Sequence, residues 1–349
     1  MAMECVFCGA VPNHKTREHI IPQWLLRMTG EPKRLANFGF DSQSNKARKF
    51  PFDAFTFSAC DQCNSEYSTL EDECSIVFDK VINGGIVNGR QITILLDWFD
   101  KVRVGIWLGM RQLDRNKAGI TPNFYIKNRI GMHDRVLFIE RMKKHPMGVN
   151  FIGSDTMSFS LTPNAFCLRV NNFYFYNVSH MFLLANGLGF PYPESIELAG
   201  GKLSKVTLTT GDGAIKERLT PFDVNVNGVG IFQPMLKGEA RRIDLISNGY
   251  VSKYMINMNS GVGKIFVDNG VRNEIDISDS LVITPDYIDG FEGQMKKANL
   301  NVLGIQDFYM NEALSGMTFS LLSKKQKKDA KISFRAAILL NEKYRNLLS

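Results

Sequence analysis

No apolar run of about 18 residues occurs in the sequence, so no membrane-spanning helix is expected. The first residues, Met-Ala-Met-Glu-Cys, lack a basic stretch followed by an apolar one, so no secretory signal is expected. There is no internal repeat and no low-complexity linker. Cysteine is scarce, with six in 349 residues. Four of them form two C-x-x-C pairs, which argues for metal in a reducing, cytoplasmic setting rather than for disulfides. Cys74 and Cys167 are left over and read as small buried hydrophobes.

What remains is the composition of a soluble globular chain, 44% hydrophobic and 22% charged, long enough for two or three domains. The net charge of +7 is unevenly placed. Residues 101–145 carry eleven Lys/Arg against three acids, and residues 51–100 carry two against nine. The basic stretch would suit a polyanion, or else it is a solvated face.

The pattern predicts an α+β chain. A cysteine knuckle runs into a β-hairpin over 3–22, with its turn at Val11–His14. A short helix follows at Gln23–Met28, then a polar irregular stretch at Gly30–Lys49 and an aromatic-rich strand at Phe50–Ala59. Helices are expected from about Cys60 to Val81 and from Ile92 to Leu113. Short β-like runs follow: Phe124–Lys127, Val136–Glu140, Met157–Leu161, Phe166–Val178, Lys205–Thr209 and Gly263–Val267. A helix is expected to interrupt them at Ser179–Leu188, and an amphipathic helix to cover Lys325–Leu347. The organisation expected is a metal-stapled module at 1–90, a connecting helix at 91–118 and a larger mostly β or α+β region at 119–349. A domain boundary is expected near Arg115–Ile120, with a second candidate near Lys237–Arg242.

Chemistry concentrates near the start. Cys5, Cys8, Cys60 and Cys63 offer four thiolates, the ligand set of a closed structural zinc site, although 51 residues separate the pairs. Between the pairs lies Arg17-Glu18-His19-Ile20-Ile21-Pro22, and Asn64 follows the last cysteine. Glu18, His19 and Asn64 are hard donors that zinc does not need. They suit a second, oxygen-preferring cation.

The pattern C-x-x-C…Glu-His-Ile-Ile-Pro…C-x-x-C-Asn resembles the HNH endonuclease family, the zinc-stapled ββα-metal (His-Me finger) nucleases, over about Cys5–Val81. The resemblance implies a metal-dependent endonuclease acting on DNA, with RNA as another substrate of the same chemistry. His19 would be the general base. Glu18 and Asn64 would be the protein ligands of magnesium or another divalent cation. The family's middle Asn falls near Phe55 here, with Asp53 close by, and Tyr67 replaces a common lysine. A backbone carbonyl near Phe55 is therefore expected to orient the His19 ring. An imidazole titrating near about 6.5 suits a base at neutral pH. Lys15, Arg17, Lys46, Arg48 and Lys49 are candidates for the nucleic-acid backbone. Glu71, Asp72 and Glu73 read as a solvated part of the helix, and Phe173–Tyr176 as a strand with alternating burial. Layouts of this kind occur in anti-phage effectors, so a defence-system partner protein or a homo-oligomer is a further expectation. The contrasting reading is a non-catalytic zinc module that binds nucleic acid or serves assembly.

Overall fold

The computed structural model describes residues 4–12, 14, 16–41, 46–113, 126, 134–180, 182–199, 202–209, 215–220, 226–235, 253–257, 261–290, 293–315 and 322–348. The fold is α+β. Strand β1 (Thr16–His19) leads into helix α1 (Gln23–Met28), the hairpin β2 (Leu35–Asp41) and β3 (Lys46–Pro51), a single 3-10 turn at Phe52–Ala54, and strand β4 (Thr56–Ala59). Helix α2 (Asp61–Ile82) follows directly.

The partner of β1 is β4, antiparallel, with Glu18 opposite Phe57 and His19 opposite Thr56. This corrects the expected local hairpin: the chain first makes α1 and the β2–β3 pair, then returns. The stretch expected to be irregular is thus largely a hairpin, and the single strand expected at Phe50–Ala59 is broken by the 3-10 turn.

After β5 (Val87–Asn88), helix α3 (Gly89–Leu113) packs on α2 and lies under β1 and β4. Gly109 permits that approach. A Cβ there would come within 2.7 Å of Phe57, 2.8 Å of Ile20 and 2.9 Å of Phe55. The boundaries expected at Arg115–Ile120 and Lys237–Arg242 lie outside the described residues, as does Phe124–Lys127 apart from Ile126.

An eight-stranded sheet forms the centre of the remainder. Its strands are β6 (Asp134–Met142), β7 (Val149–Ile152), β8 (Ala165–Val170), β9 (Phe173–His180), β12 (Val229–Gln233), β15 (Ile265–Asp268), β16 (Arg272–Ile275) and β18 (Tyr287–Ile288). The order is β16-β15-β12-β6-β9-β8-β7, with β18 parallel to the end of β6. Two-stranded ribbons join β10 (Pro193–Ala199) to β11 (Lys202–Leu208), β13 (Met255–Asn257) to β14 (Val262–Gly263), and β17 (Ser280–Leu281) to β5.

Alternation along the strands splits the core into two layers. Leu137, Ile139, Phe173 and Phe175 join the cluster that contains α2, α3 and the cysteine knuckle. Val136, Phe138, Tyr174 and Tyr176 face the other way, toward α5 (Leu183–Leu188) and the helix Gln294–Ser315. The expected strand at Met157–Leu161 is instead helix α4, because Thr156 caps its first turn by accepting from the Phe159 amide at 3.1 Å. The final helix spans Lys324–Leu348. No helix among the described residues is long and apolar enough to cross a membrane.

Candidate metal centre and active site

The first C-x-x-C pair occupies a tight turn. The Cys5 amide donates to the Ala10 carbonyl at 2.7 Å, and the Gly9 amide to the Cys5 carbonyl at 2.8 Å. Gly9 closes this turn at φ 79°, a left-handed conformation that favours glycine. The turn is pinned to β4 by the Val6 amide on the Ser58 carbonyl, 3.0 Å. The second pair opens α2: Cys60 is the residue before the helix and Cys63 lies in its first turn. The Cys60 amide donates to Cys5 Sγ at 3.3 Å.

All four sulfurs lie within 4.8 Å of one another. A tetrahedron with Zn–S bonds of about 2.3 Å has edges of about 3.8 Å, so the cluster has the size and donors to hold a metal ion such as zinc. Burial raises the Cys5 and Cys63 thiols, while the Cys63 backbone amide at the helix start lowers Cys60. Cys74 and Cys167, as expected, are buried and apart from this cluster.

Strand β1 sends neighbouring side chains to opposite faces. Glu18 turns inward and is 8% exposed. Its Oε1 accepts from Lys101 Nζ of α3 at 2.6 Å. The same ammonium donates to Glu71 of α2. Phe7 and Tyr67, stacked at 4.1 Å, flank it with ring centroids 5.6 and 5.8 Å from Nζ. Two carboxylates thus share one buried cation. Burial raises the Glu71 carboxyl to about 7, with Lys101 opposing and the Glu18 charge adding to the rise. The expectation of a solvated Glu71 is corrected by this contact. Asp72 is exposed, and Glu73 pairs with Arg90 at 3.3 Å.

His19 is half-buried. Its Nε2 lies 3.5 Å from the Gln23 side-chain nitrogen, and its Nδ1 is buried without a hydrogen-bond partner. The carbonyl expected to orient the ring does otherwise: Phe55 accepts from the Ile20 amide at 3.3 Å. Asn64 Oδ1, in the first turn of α2, is likewise buried without a partner. No hydrogen bond joins Glu18, His19 and Asn64 to one another, though β1 and the start of α2 bring them into one module.

Arg17 and Lys49 are exposed on this module. Lys15 and the side chains of Lys46 and Arg48 lie outside the described residues. The basic stretch 101–145 is not one solvated surface. Lys101, Arg103 and Arg135 are buried, Arg103 with Asp100 at 2.9 Å and Arg135 with Asp97 at 2.7 Å. Phe173–Tyr176 is buried on both faces.

Sequence reasoning missed Lys101 and Gln23. Lys101 is 83 residues from Glu18, and only the docking of α3 brings them together. Gln23 carried a local signal, four residues beyond His19 at the first position of α1. The chain matches no protein-family model, no curated protein and no solved structure.

Proposed function

We propose that the chain is a metal-dependent endonuclease of the HNH kind, hydrolysing phosphodiester bonds of DNA. The observation that carries this reading is an antiparallel β1–β4 pair running into α2, which brings His19, Glu18 and Asn64 into one module beside the four-cysteine cluster. His19 Nδ1 and Asn64 Oδ1 are buried without partners, as are Trp24 Nε1 and Ser58 Oγ of the same module, so it is their chemistry as a base and a metal donor that supports a ligand there.

On this reading the four cysteines hold zinc as a closed structural site, with no position open for water. Glu18, through the oxygen not engaged by Lys101, and Asn64 would hold magnesium or another divalent cation. Such a cation, when bound, stabilises charge on the phosphate and on the leaving 3′ oxygen. With the Gln23 amide turned, its oxygen accepts the His19 Nε2 proton and leaves Nδ1 bare. His19 Nδ1 then takes a proton from water as the water oxygen bonds to phosphorus and the bond to the 3′ oxygen breaks. Arg17 and Lys49, with Lys15, Lys46 and Arg48, would neutralise backbone phosphates, and RNA offers the same linkage. The region from β6 onward would serve targeting, sensing or oligomer control, as in an anti-phage effector acting with a partner protein or a second copy.

One contact favours the alternative. Glu18 already bears the Lys101 ammonium at 2.6 Å, which suits a non-catalytic zinc module that binds nucleic acid or serves assembly. Plasmid nicking with magnesium, manganese or nickel separates the two. The wild type is expected to nick, and His19→Ala to lose about 10²-fold or more at unchanged circular dichroism. A pure wild type inert with every metal, together with a His19→Ala variant equally active in cells, leaves only the non-catalytic reading.

A further inference from the structure

A cleft of about 440 Å³ lies away from the cysteine module's strand pair, between β2, β7, the turn after β7 and the last two helices. Small-molecule sites run from about 300 to 1,000 Å³. Two arginines line it, Arg34 and Arg169.

Arg169 projects from β8 and is 7% exposed. Its partners are all neutral. Nε donates to Asn150 Oδ1 at 2.7 Å, and Nη1 to the Pro146 carbonyl at 2.9 Å and the Asn171 carbonyl at 3.0 Å. Nη1 also lies 2.8 Å from His145 Nδ1. His145 Nδ1 also lies 3.3 Å from the Pro146 carbonyl, and its Nε2 lies 2.7 Å from the Tyr174 hydroxyl. Desolvation and the Arg169 charge both lower His145, with the Pro146 carbonyl opposing. Arg169 Nη2 has no hydrogen-bond partner, and among the described residues no carboxylate pairs with Arg169.

Arg34 is half-buried, with the Glu31 charge acting on it. Its guanidinium donates to the Leu26 and Glu31 carbonyls and to the Thr29 hydroxyl, and it lies 4.8 Å from the Phe52 ring centroid. It too has no ion pair among the described residues. A buried arginine without a counter-charge is costly, since desolvation of the cation goes uncompensated. Arg169 is such a case, and with the half-buried Arg34 beside it the cleft holds two guanidiniums to which the described residues supply no ion-paired acid. The one acid in the lining, Asp155, is exposed at the cleft and forms no ion pair among the described residues.

We propose that this cleft binds a small organic or inorganic oxyanion, phosphate- or carboxylate-bearing, anchored by Arg169 Nη2 and gripped by Arg34. Guanidinium forks match such groups bidentately. The proposal does not depend on nuclease activity. Arg34 belongs to the segment between α1 and β2, Arg169 to the sheet, and Tyr344, also in the lining, to the last helix. A bound anion therefore ties three distant parts of the chain together and stabilises the fold.

Thermal-shift and calorimetric titrations of the full chain at pH 8 and constant ionic strength test this, with inorganic phosphate in one arm and citrate in the other. At least one anion is expected to bind saturably and raise Tm. Preference between the arms assigns phosphate or carboxylate chemistry. Arg34→Gln should weaken binding about tenfold or more, the scale of one charge-assisted hydrogen bond. Asp155→Asn should strengthen it, because it removes like charge from the cleft. The exposed Lys143→Gln should leave it unchanged. Neither anion binding, or Lys143→Gln weakening it as much as Arg34→Gln, overturns the proposal. Asp155 forms no ion pair whose loss would unfold the chain, so failure of Asp155→Asn to strengthen binding also counts against it.

Discussion

At the scale of residues, the contact that shapes the candidate active site is one lysine between two acids. Taking a carboxylate out of water costs several kcal/mol, and only a close cation offsets it. Lys101 serves both Glu18 and Glu71, so its loss strands two buried acids, whereas loss of Glu71 leaves a matched Glu18–Lys101 pair. Lys101→Met is therefore expected to destabilise the fold by about 3–5 kcal/mol. Glu71→Gln should cost under about 1 kcal/mol, because an amide keeps a hydrogen bond to the ammonium and removes the surplus charge. Urea unfolding of both variants at neutral pH checks the order. A costlier Glu71→Gln would show that the helix acid, not the strand acid, is the lysine's real partner. The four cysteines were legible in the sequence because a C-x-x-C turn is a local signal. Lys101 was not, because nothing local marks which residue of α3 will lie beneath β1.

At the scale of elements, helices with a clean apolar stripe were readable to within a few residues. Both α2 and α3 follow their hydrophobic spacing, and the final helix starts and ends one residue outside its expected span. The helix Gln294–Ser315 was missed because its buried face carries Gln294, Asn301, Gln306 and Asp307 among the apolar residues. Gln306 explains why polarity is tolerated there: its side chain bonds the Gly153 and Ala165 carbonyls and the Thr156 hydroxyl. The β2–β3 hairpin was hidden for the opposite reason, a polar sequence with little alternation to mark strands. The cysteine cluster joins three such elements, the knuckle, β4 and the start of α2. Removing one thiolate should free all three at once. If the cluster holds zinc as proposed, Cys60→Ser loses the metal and more than about 3 kcal/mol of stability, modest beside the roughly 10–16 kcal/mol of zinc-finger sites. Metal analysis paired with denaturation tests the clamp, and a zinc-free variant as stable as the wild type would sink it.

At the scale of the whole molecule, one apolar cluster runs from Cys5 through Phe78, Trp98 and Phe175 to Ile283. Rings of α2, α3 and β9 meet within it, Phe78 and Phe99 lying 5.1 and 5.2 Å from Phe175. That joint packing was not legible in the sequence, since each strand's alternation says which residues face inward but not which helix covers them. With the opposite layer it buries β6 on both faces, and Asp134 at the start of β6 is buried with it. Asp134 Oδ2 accepts from the Ala185 amide at 3.0 Å, Oδ1 has no partner, and no cation pairs with the carboxyl among the described residues. His180 stands opposite it on β9 and Tyr309 stacks on that imidazole at 4.6 Å. Burial raises the Asp134 carboxyl from 3.8 to about 8, opposed by the nearby backbone amides of Ala185 and Met235. The folded state thus holds the proton more tightly than the unfolded chain. This contribution to stability is complete below about pH 4 and is lost as pH rises toward about 8, on the order of 1 kcal/mol per pH unit. Asp134→Asn removes the titration but keeps an oxygen for the Ala185 amide. The stability difference between variant and wild type should therefore climb in the variant's favour from pH 4 to pH 8 and then level off. Urea midpoints measured across that range give the slope directly, and a difference that stays flat with pH would mean Asp134 ionises as freely in the fold as in the unfolded chain.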